Sequence, residues 1–285
     1  MLNFDPTRVP AVPKDAATVV VVREQSAQVE LFCVERHARS GFLGGAVVFP
    51  GGKVDPADHE PAWSELSTAL SPRARAFASE PRAALGFAVA ALRELLEEAA
   101  ILPVAGDALD DADALRLRGR LESTPGMFAE LLRQHGLVAD TARLEPLWRW
   151  VTPEAEARRY DTRFYLLPAP KGQLGAHDQH ETTSSFWATP AALLERWARG
   201  EILLIPPTVR TIQILARAHS LDDALAIAQA QSLEPICPAF MLDGEQPILT
   251  LPGDPLHPTP HPAPSDPEAP TRFVMDQGRF VGRRA

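Results

Sequence analysis

The stretch Arg93-Glu94-Leu95-Leu96-Glu97-Glu98-Ala99-Ala100-Ile101, with Phe49-Pro50-Gly51-Gly52-Lys53-Val54-Asp55 upstream of it, decides how this chain is read. Leu85, Ala88, Leu92, Leu95, Leu96 and Ala99 recur at helical spacing, so a helix is predicted over residues 83–100. Glu94, Glu97 and Glu98 stand at i, i+3 and i+4, which puts three carboxylates on one face. That face is expected to point outward, away from the stripe of Leu92, Leu95 and Ala99. Like charges so placed repel by roughly a few tenths of a kcal/mol per pair unless a cation sits among them. Hard oxygen ligands suit Mg²⁺ or Mn²⁺. Arg93, one turn before Glu97, is placed to hold that carboxylate by a bidentate contact. Taken alone, a Glu-rich face backed by leucine is more often solvated surface than a metal site, and the upstream context has to decide.

Outward from this helix, residues 41–52 are dense in glycine and contain a strand-like 46–49 before Pro50-Gly51-Gly52, a pattern that implies close backbone approach. Residues 18–22 and 29–34 read as adjacent strands, the first buried on both faces. Further strands are predicted at 147–151, 163–167 and 184–188, with helices at 126–135, 190–199, 208–219 and 221–230. Trp63, Leu66 and Leu70, at i, i+3 and i+7, predict a short amphipathic helix. The proline-dense segment 252–270 reads as an extended linker or wrapping arm, followed by a terminal hairpin around Asp276-Gln277-Gly278.

Composition is that of an ordinary globular protein: 285 residues, 45% hydrophobic and 23% charged. A formal net charge of −9 argues against a broad basic face for DNA or RNA, so an anionic ligand needs a local cation. Cys33 and Cys237, far apart, suggest neither a disulfide framework nor a thiolate zinc site. No run of about 18 apolar residues and no apolar leader is found, so a soluble, cytoplasmic protein without membrane contact is expected. His177 and His180, in His177-Asp178-Gln179-His180-Glu181, read as a hydrophilic loop rather than a zinc cluster.

The two stretches together resemble the Nudix box: a Gly, five residues, a Glu, seven residues, then Arg-Glu-aliphatic-x-Glu-Glu-x-Gly-aliphatic. Here the match starts at Gly52, Asp58 stands for the first Glu, 34 residues separate Asp58 from Arg93, and Ala100 replaces the last Gly. Such an interruption is similar to that of the coenzyme A diphosphatase-like branch. The likeness extends to Phe42-Leu43-Gly44-Gly45, Trp150-Val151-Thr152-Pro153, Arg159-Tyr160-Asp161-Thr162-Arg163-Phe164-Tyr165 and Ile205-Pro206-Pro207-Thr208, over roughly residues 14–217. The resemblance implies an α/β fold: a Nudix-type α/β/α sandwich with a mixed sheet, plus C-terminal helices and a Pro-rich tail. Its domain would span 1–251 with an insertion at about 59–83, leaving 252–285 as the Pro-rich arm and terminal hairpin.

It also implies that Glu94, Glu97 and Glu98 hold Mg²⁺ or Mn²⁺, that Glu94 orients or deprotonates the attacking water, and that Arg93 and Glu97 belong to the catalytic set. Gly51 and Gly52 would bring backbone amides to a diphosphate. Arg36, Arg39 and Arg163 are candidates for substrate phosphates; Asp58, through water, and Glu181 are weaker candidates for the metal. The expected activity is metal-dependent cleavage of a diphosphate in a nucleotide-like substrate, coenzyme A or acyl-coenzyme A first. ADP-ribose or NADH hydrolysis, and a Nudix-fold binding protein without turnover, stand as alternatives. The expected partner is a small molecule rather than nucleic acid or membrane, with a homodimer left open.

Overall fold

The computed structural model describes all residues except 1–3, 6, 39–43, 107–108, 125, 179, 245, 262–263, 265 and 267. β-branched residues favour extended backbone, and the run around 18–22 forms strand β1 (Lys14–Gln25), which turns tightly into antiparallel β2 (Gln28–Arg36). At Val34 and Glu35, β2 is flanked on its two edges by β3 (Val47–Val48) and β7 (Thr182–Ala188). The start of β1 pairs with β4 (Gly51–Lys53) and, in parallel, with β6 (Tyr160–Pro168). Beyond β6 lie β5 (Glu145–Val151) and the short β8 (Pro235–Ile236), completing a mixed eight-stranded sheet.

Val19 to Val22 are wholly buried because both faces of β1 are covered. Against one face, Val19, Val21, Tyr165 and Leu167 pack with Ala88, Leu92 and Leu95 of the long helix α3 (Pro81–Ala99). Against the other, Val20, Val22 and Leu166 pack with Leu193 of α6 (Pro190–Ala198), Val209 and Ile212 of α7 (Pro206–Leu215) and Ala224 of α8 (Leu221–Gln229). This is the expected α/β/α sandwich.

The insertion holds two single-turn helices, α1 (Trp63–Leu66) and α2 (Pro72–Arg75), in place of one amphipathic helix reaching Leu70. Extended backbone at Ser67 ends the first, and Trp63 is buried beside Phe128 of α5 (Phe128–Gln134), ring centroids 5.1 Å apart. Helix α4 (Asp111–Ser123), N-capped by Asp110, was not expected: only Ala114, Leu117 and Leu121 are buried along a segment nearly half charged.

The terminal hairpin forms as β11 (Arg272–Asp276) and β12 (Arg279–Arg283). It does not stand apart. Strands β9 (Ala239–Asp243) and β10 (Gln246–Thr250) pair with it in a second, four-stranded sheet, so the boundary expected after 251 falls inside one sheet. Leu249, Leu251, Phe273 and Phe280 from both sides of that boundary join the core under α6 and α7. Among the described residues, no helix is long and apolar enough to cross a membrane.

Candidate active site

Arg93 organises the carboxylate end of α3. Its Nε and Nη2 donate to the two oxygens of Asp58, both at 3.0 Å, and Nη2 also donates to the Lys53 carbonyl at 2.8 Å. Nη1 donates to Glu94 Oε1 and Glu97 Oε2, each at 2.9 Å. The bidentate partner is thus Asp58 rather than Glu97. Asp58 lies in the turn Pro56–His59, is 1% exposed, and accepts a further bond from the Asp55 N–H at 2.8 Å. With both oxygens so committed, Asp58 anchors the guanidinium, a correction to the expected water-mediated reach toward a metal. Burial opposes the charge on Arg93, but the Asp58 hydrogen bonds and the surrounding carboxylates outweigh it and hold the guanidinium firmly protonated.

The carboxylates do not point into open solvent as expected. They lie between α3 and the β4 loop, where the Gly51 N–H donates to Glu98 Oε2 at 3.0 Å. A Cβ at Gly52 would overlap the Glu94 carboxylate, and one at Gly51 would overlap the Ala17 carbonyl and Thr18. Both glycines are needed for this contact of loop and helix. The Glu98 side chain is buried and that of Glu94 nearly so, while Glu97 keeps 31% of its side chain exposed. Burial, partly offset by Arg93 and reinforced by Glu97, pushes Glu94 up to about 7. Burial together with Glu94 pushes Glu98 up to about 8, against the Gly51 N–H and Arg36. Burial raises Glu97 as well.

Hard oxygen donors buried side by side, where burial first and neighbouring carboxylates second raise their proton affinity, form a donor set that a divalent cation fits. The ligands are not already gathered: among the described residues, no three His, Cys, Asp or Glu side chains stand in ligating geometry. Arg93 holds Glu94 through Oε1 and Glu97 through Oε2, so one oxygen of each carboxylate lies outside that contact.

Arg36 stands beside this cluster, Nη1 3.8 Å from Glu98 and Nη2 3.5 Å from Glu181, whose side chain is 65% exposed. Arg163 does not reach it. Thr162 and Phe164 line the cleft, so strand alternation turns Arg163 to the opposite face. There its guanidinium lies 3.8 Å above the Phe87 ring and bonds Asp15 and Asp161, at 2.9 and 3.0 Å, which corrects its expected role at substrate. Arg39 lies outside the described residues. His177 is hydrogen-bonded to Ser185, through its N–H at 3.1 Å and through Nδ1 at 3.2 Å.

From Glu94, Glu98 and Gly51 a cleft of about 480 Å³ runs across Ala16, Thr18, Thr162 and Phe164 to Trp150, Tyr160 and Arg158. Pro206, Pro207 and Thr208 border it at the start of α7. Its far wall includes Phe4, Pro238 and Leu249, which no local pattern could associate with Gly51. Phe4 stacks on Phe240 with ring centroids 4.9 Å apart.

A mixed sheet between helical layers, with a glycine loop seated on an Arg-Glu-x-x-Glu-Glu helix, defines a Nudix-type hydrolase. The model of the NUDT19 Nudix domain matches residues 11–215, and the chain belongs to this Nudix family of enzymes acting on diphosphate bonds. It is similar to the acyl-coenzyme A diphosphatase NUDT19 of Gallus gallus, 31% identical over 80% of this chain and 73% of that protein. The Homo sapiens protein of the same name is 28% identical over 80% and 72%. Among solved structures, a Nudix hydrolase from Alicyclobacillus acidocaldarius superposes with a TM-score of 0.64 at 28% identity, covering 76% of this chain and 96% of that one. Nudix hydrolases generally use divalent metals.

Proposed function

We propose that this chain hydrolyses the diphosphate linkage of coenzyme A or acyl-coenzyme A with Mg²⁺ or Mn²⁺ held by Glu94, Glu97 and Glu98. The observation that carries the reading is the continuous cleft from the carboxylate cluster to an apolar wall of Phe4, Trp150 and Leu249. It suits a diphosphate at one end and a long, partly apolar substituent at the other. The relatives named acyl-coenzyme A diphosphatase support it.

Such an ion supplies neutralisation of the diphosphate oxygens and a more acidic water. The Gly51-Gly52 backbone lets the diphosphate approach closely, Arg36 faces its oxygens, and Arg93 orients Glu94 and Glu97. Glu94 receives a proton from the attacking water as its oxygen bonds to phosphorus and the bridging P–O bond breaks, leaving 3′,5′-ADP and a phosphopantetheine product.

The test is a panel of coenzyme A, acyl-coenzyme A, ADP-ribose, NADH and diadenosine polyphosphates, with wild type and Glu98→Gln, at millimolar Mg²⁺ or Mn²⁺. The coenzyme A compounds should show the highest kcat/KM, and the variant should lose at least about 100-fold while staying folded, because the amide keeps the size and removes the ligand charge. Faster cleavage of ADP-ribose or NADH overturns the substrate; wild-type turnover by Glu98→Gln overturns the site.

A further inference from the structure

We infer that Phe4, on the arm preceding β1, and Phe240 of β9 bind the acyl group of acyl-coenzyme A and so set a preference for longer acyl chains. The inference rests on the coenzyme A reading above and deepens it. Lys53, Ala16, Thr162 and Trp150 are successive cross-strand partners on β4, β1, β6 and β5, and Ile236 of β8 pairs with Trp150 in turn. At about 4.8 Å per strand pair, this row carries the cleft roughly 14 Å from the Gly51-Gly52 loop to Trp150. An extended chain advances about 3.5 Å for every three bonds, which places the sulfur of a pantetheine arm roughly 15 Å from its phosphorus. With the diphosphate at the loop and the arm along the row, the thioester meets Trp150. The acyl chain runs on past it.

The surface beyond Trp150 is apolar. From Ile236 the chain continues through Pro238, which lines the cleft, to Phe240. Phe4 stacks on Phe240 with ring planes 15° apart, and lines the cleft together with Leu249. Neither ring is fully buried, although both pack against the core that contains Trp150 and Leu249. The carboxylates of the cleft, Glu94, Glu98 and Glu181, gather at the loop end, so an acyl chain at this end strips water from none of them. Each methylene taken fully out of water is worth roughly fourfold in affinity.

The arm is anchored without the Phe4 ring. The Asp5 N–H donates to the Ala155 carbonyl at 2.9 Å, and Asp5 Oδ1 accepts from the Thr7 N–H at 2.9 Å and the Thr7 hydroxyl at 2.7 Å. Arg159 donates to the Ala11 carbonyl at 2.8 Å. These bonds hold the arm against the turn between β5 and β6, so trimming the ring removes part of the wall and leaves the backbone tied. Val9, on the same arm, is 87% exposed and does not line the cleft.

The experiment measures kcat and KM for coenzyme A, acetyl-coenzyme A and hexanoyl-coenzyme A, at saturating Mg²⁺ or Mn²⁺, with wild type, Phe4→Ala, Phe240→Ala and Val9→Ala. Wild type should prefer the hexanoyl over the acetyl compound by roughly tenfold or more in kcat/KM, expressed in KM, since an open cleft buries the added methylenes only in part. Phe4→Ala and Phe240→Ala should each raise KM for hexanoyl-coenzyme A by about tenfold with kcat retained, and KM for coenzyme A by less than about threefold. Val9→Ala should match wild type on all three. No preference for hexanoyl over acetyl in wild type, a full preference retained by Phe4→Ala or Phe240→Ala, or equal losses on all three substrates would overturn the assignment. Hydrolysis of none of the three by wild type would overturn the coenzyme A reading itself.

Discussion

Arg93 and Asp58 form a bidentate ion pair buried between the β4 loop and α3, and from it Arg93 reaches both Glu94 and Glu97. Removing one member of a buried pair leaves an uncompensated charge, which costs about 3–5 kcal/mol. Asp58→Ala should therefore lower unfolding free energy by about 3 kcal/mol in urea titration, since Glu94 and Glu97 still neutralise part of the guanidinium. The loss should be the same with and without Mg²⁺. A loss seen only with Mg²⁺ present would place Asp58 on the metal. The carboxylate helix was legible in the sequence because its spacing is local. Asp58 was legible as a departure from the family's Glu, but its partner was not, because the pair closes over 35 positions.

At the scale of the element, α3 ends at Ala100 in left-handed backbone, φ 50° and ψ 41°, where the family has glycine. Left-handed backbone costs an L-residue about 1–2 kcal/mol. Against this, the Ala100 methyl is buried, worth about 0.8 kcal/mol, and glycine loses about 0.5–1 kcal/mol more freedom on folding. The terms nearly cancel, so Ala100→Gly should change stability by less than about 1 kcal/mol in urea titration. Ala100→Val, adding a β-branch to the same φ, should destabilise by about 2 kcal/mol or more. A gain above about 2 kcal/mol for the glycine variant would mean the methyl contributes nothing to packing. The period of the helix was readable, but the burial of its Glu face was not. Helical spacing separates apolar from polar residues, whereas the β4 loop that covers the carboxylates comes from another part of the chain.

At the scale of the molecule, the C-terminal sheet closes the far side of the cleft, and Asp254 ties its proline-rich crossover down. Its carboxylate accepts from Thr271 Oγ1, Arg272 Nε and Arg272 Nη2, each at 2.8 Å, and from the Leu256 N–H at 2.9 Å. Burial alone would raise its pKa, but the Arg272, Leu256 and Thr271 hydrogen bonds outweigh it and hold Asp254 below the ordinary 3.8. A depressed carboxylate stabilises the fold at pH above 3.8, and that stabilisation is lost as pH falls through the lower folded value. Asp254→Asn should thus be less stable than wild type at neutral pH by about 1–3 kcal/mol, the worth of hydrogen bonds to a charged group. The gap, followed by chemical denaturation, should narrow below pH 3.8. A gap unchanged by acid would assign the effect to shape rather than charge.

The sequence by itself determined the layers, the carboxylate helix and the glycine loop, because strand alternation, helical period and the Gly-Gly step are properties of neighbouring residues. Only the tertiary structure decided that Arg163 serves the core, that Asp58 holds Arg93, and that Phe4, Arg158 and Leu249 meet around one cleft. Those placements depend on which strand lies beside which and which face each residue takes. Nothing in the spacing of Phe4 and Leu249, 245 positions apart, records that they share a wall.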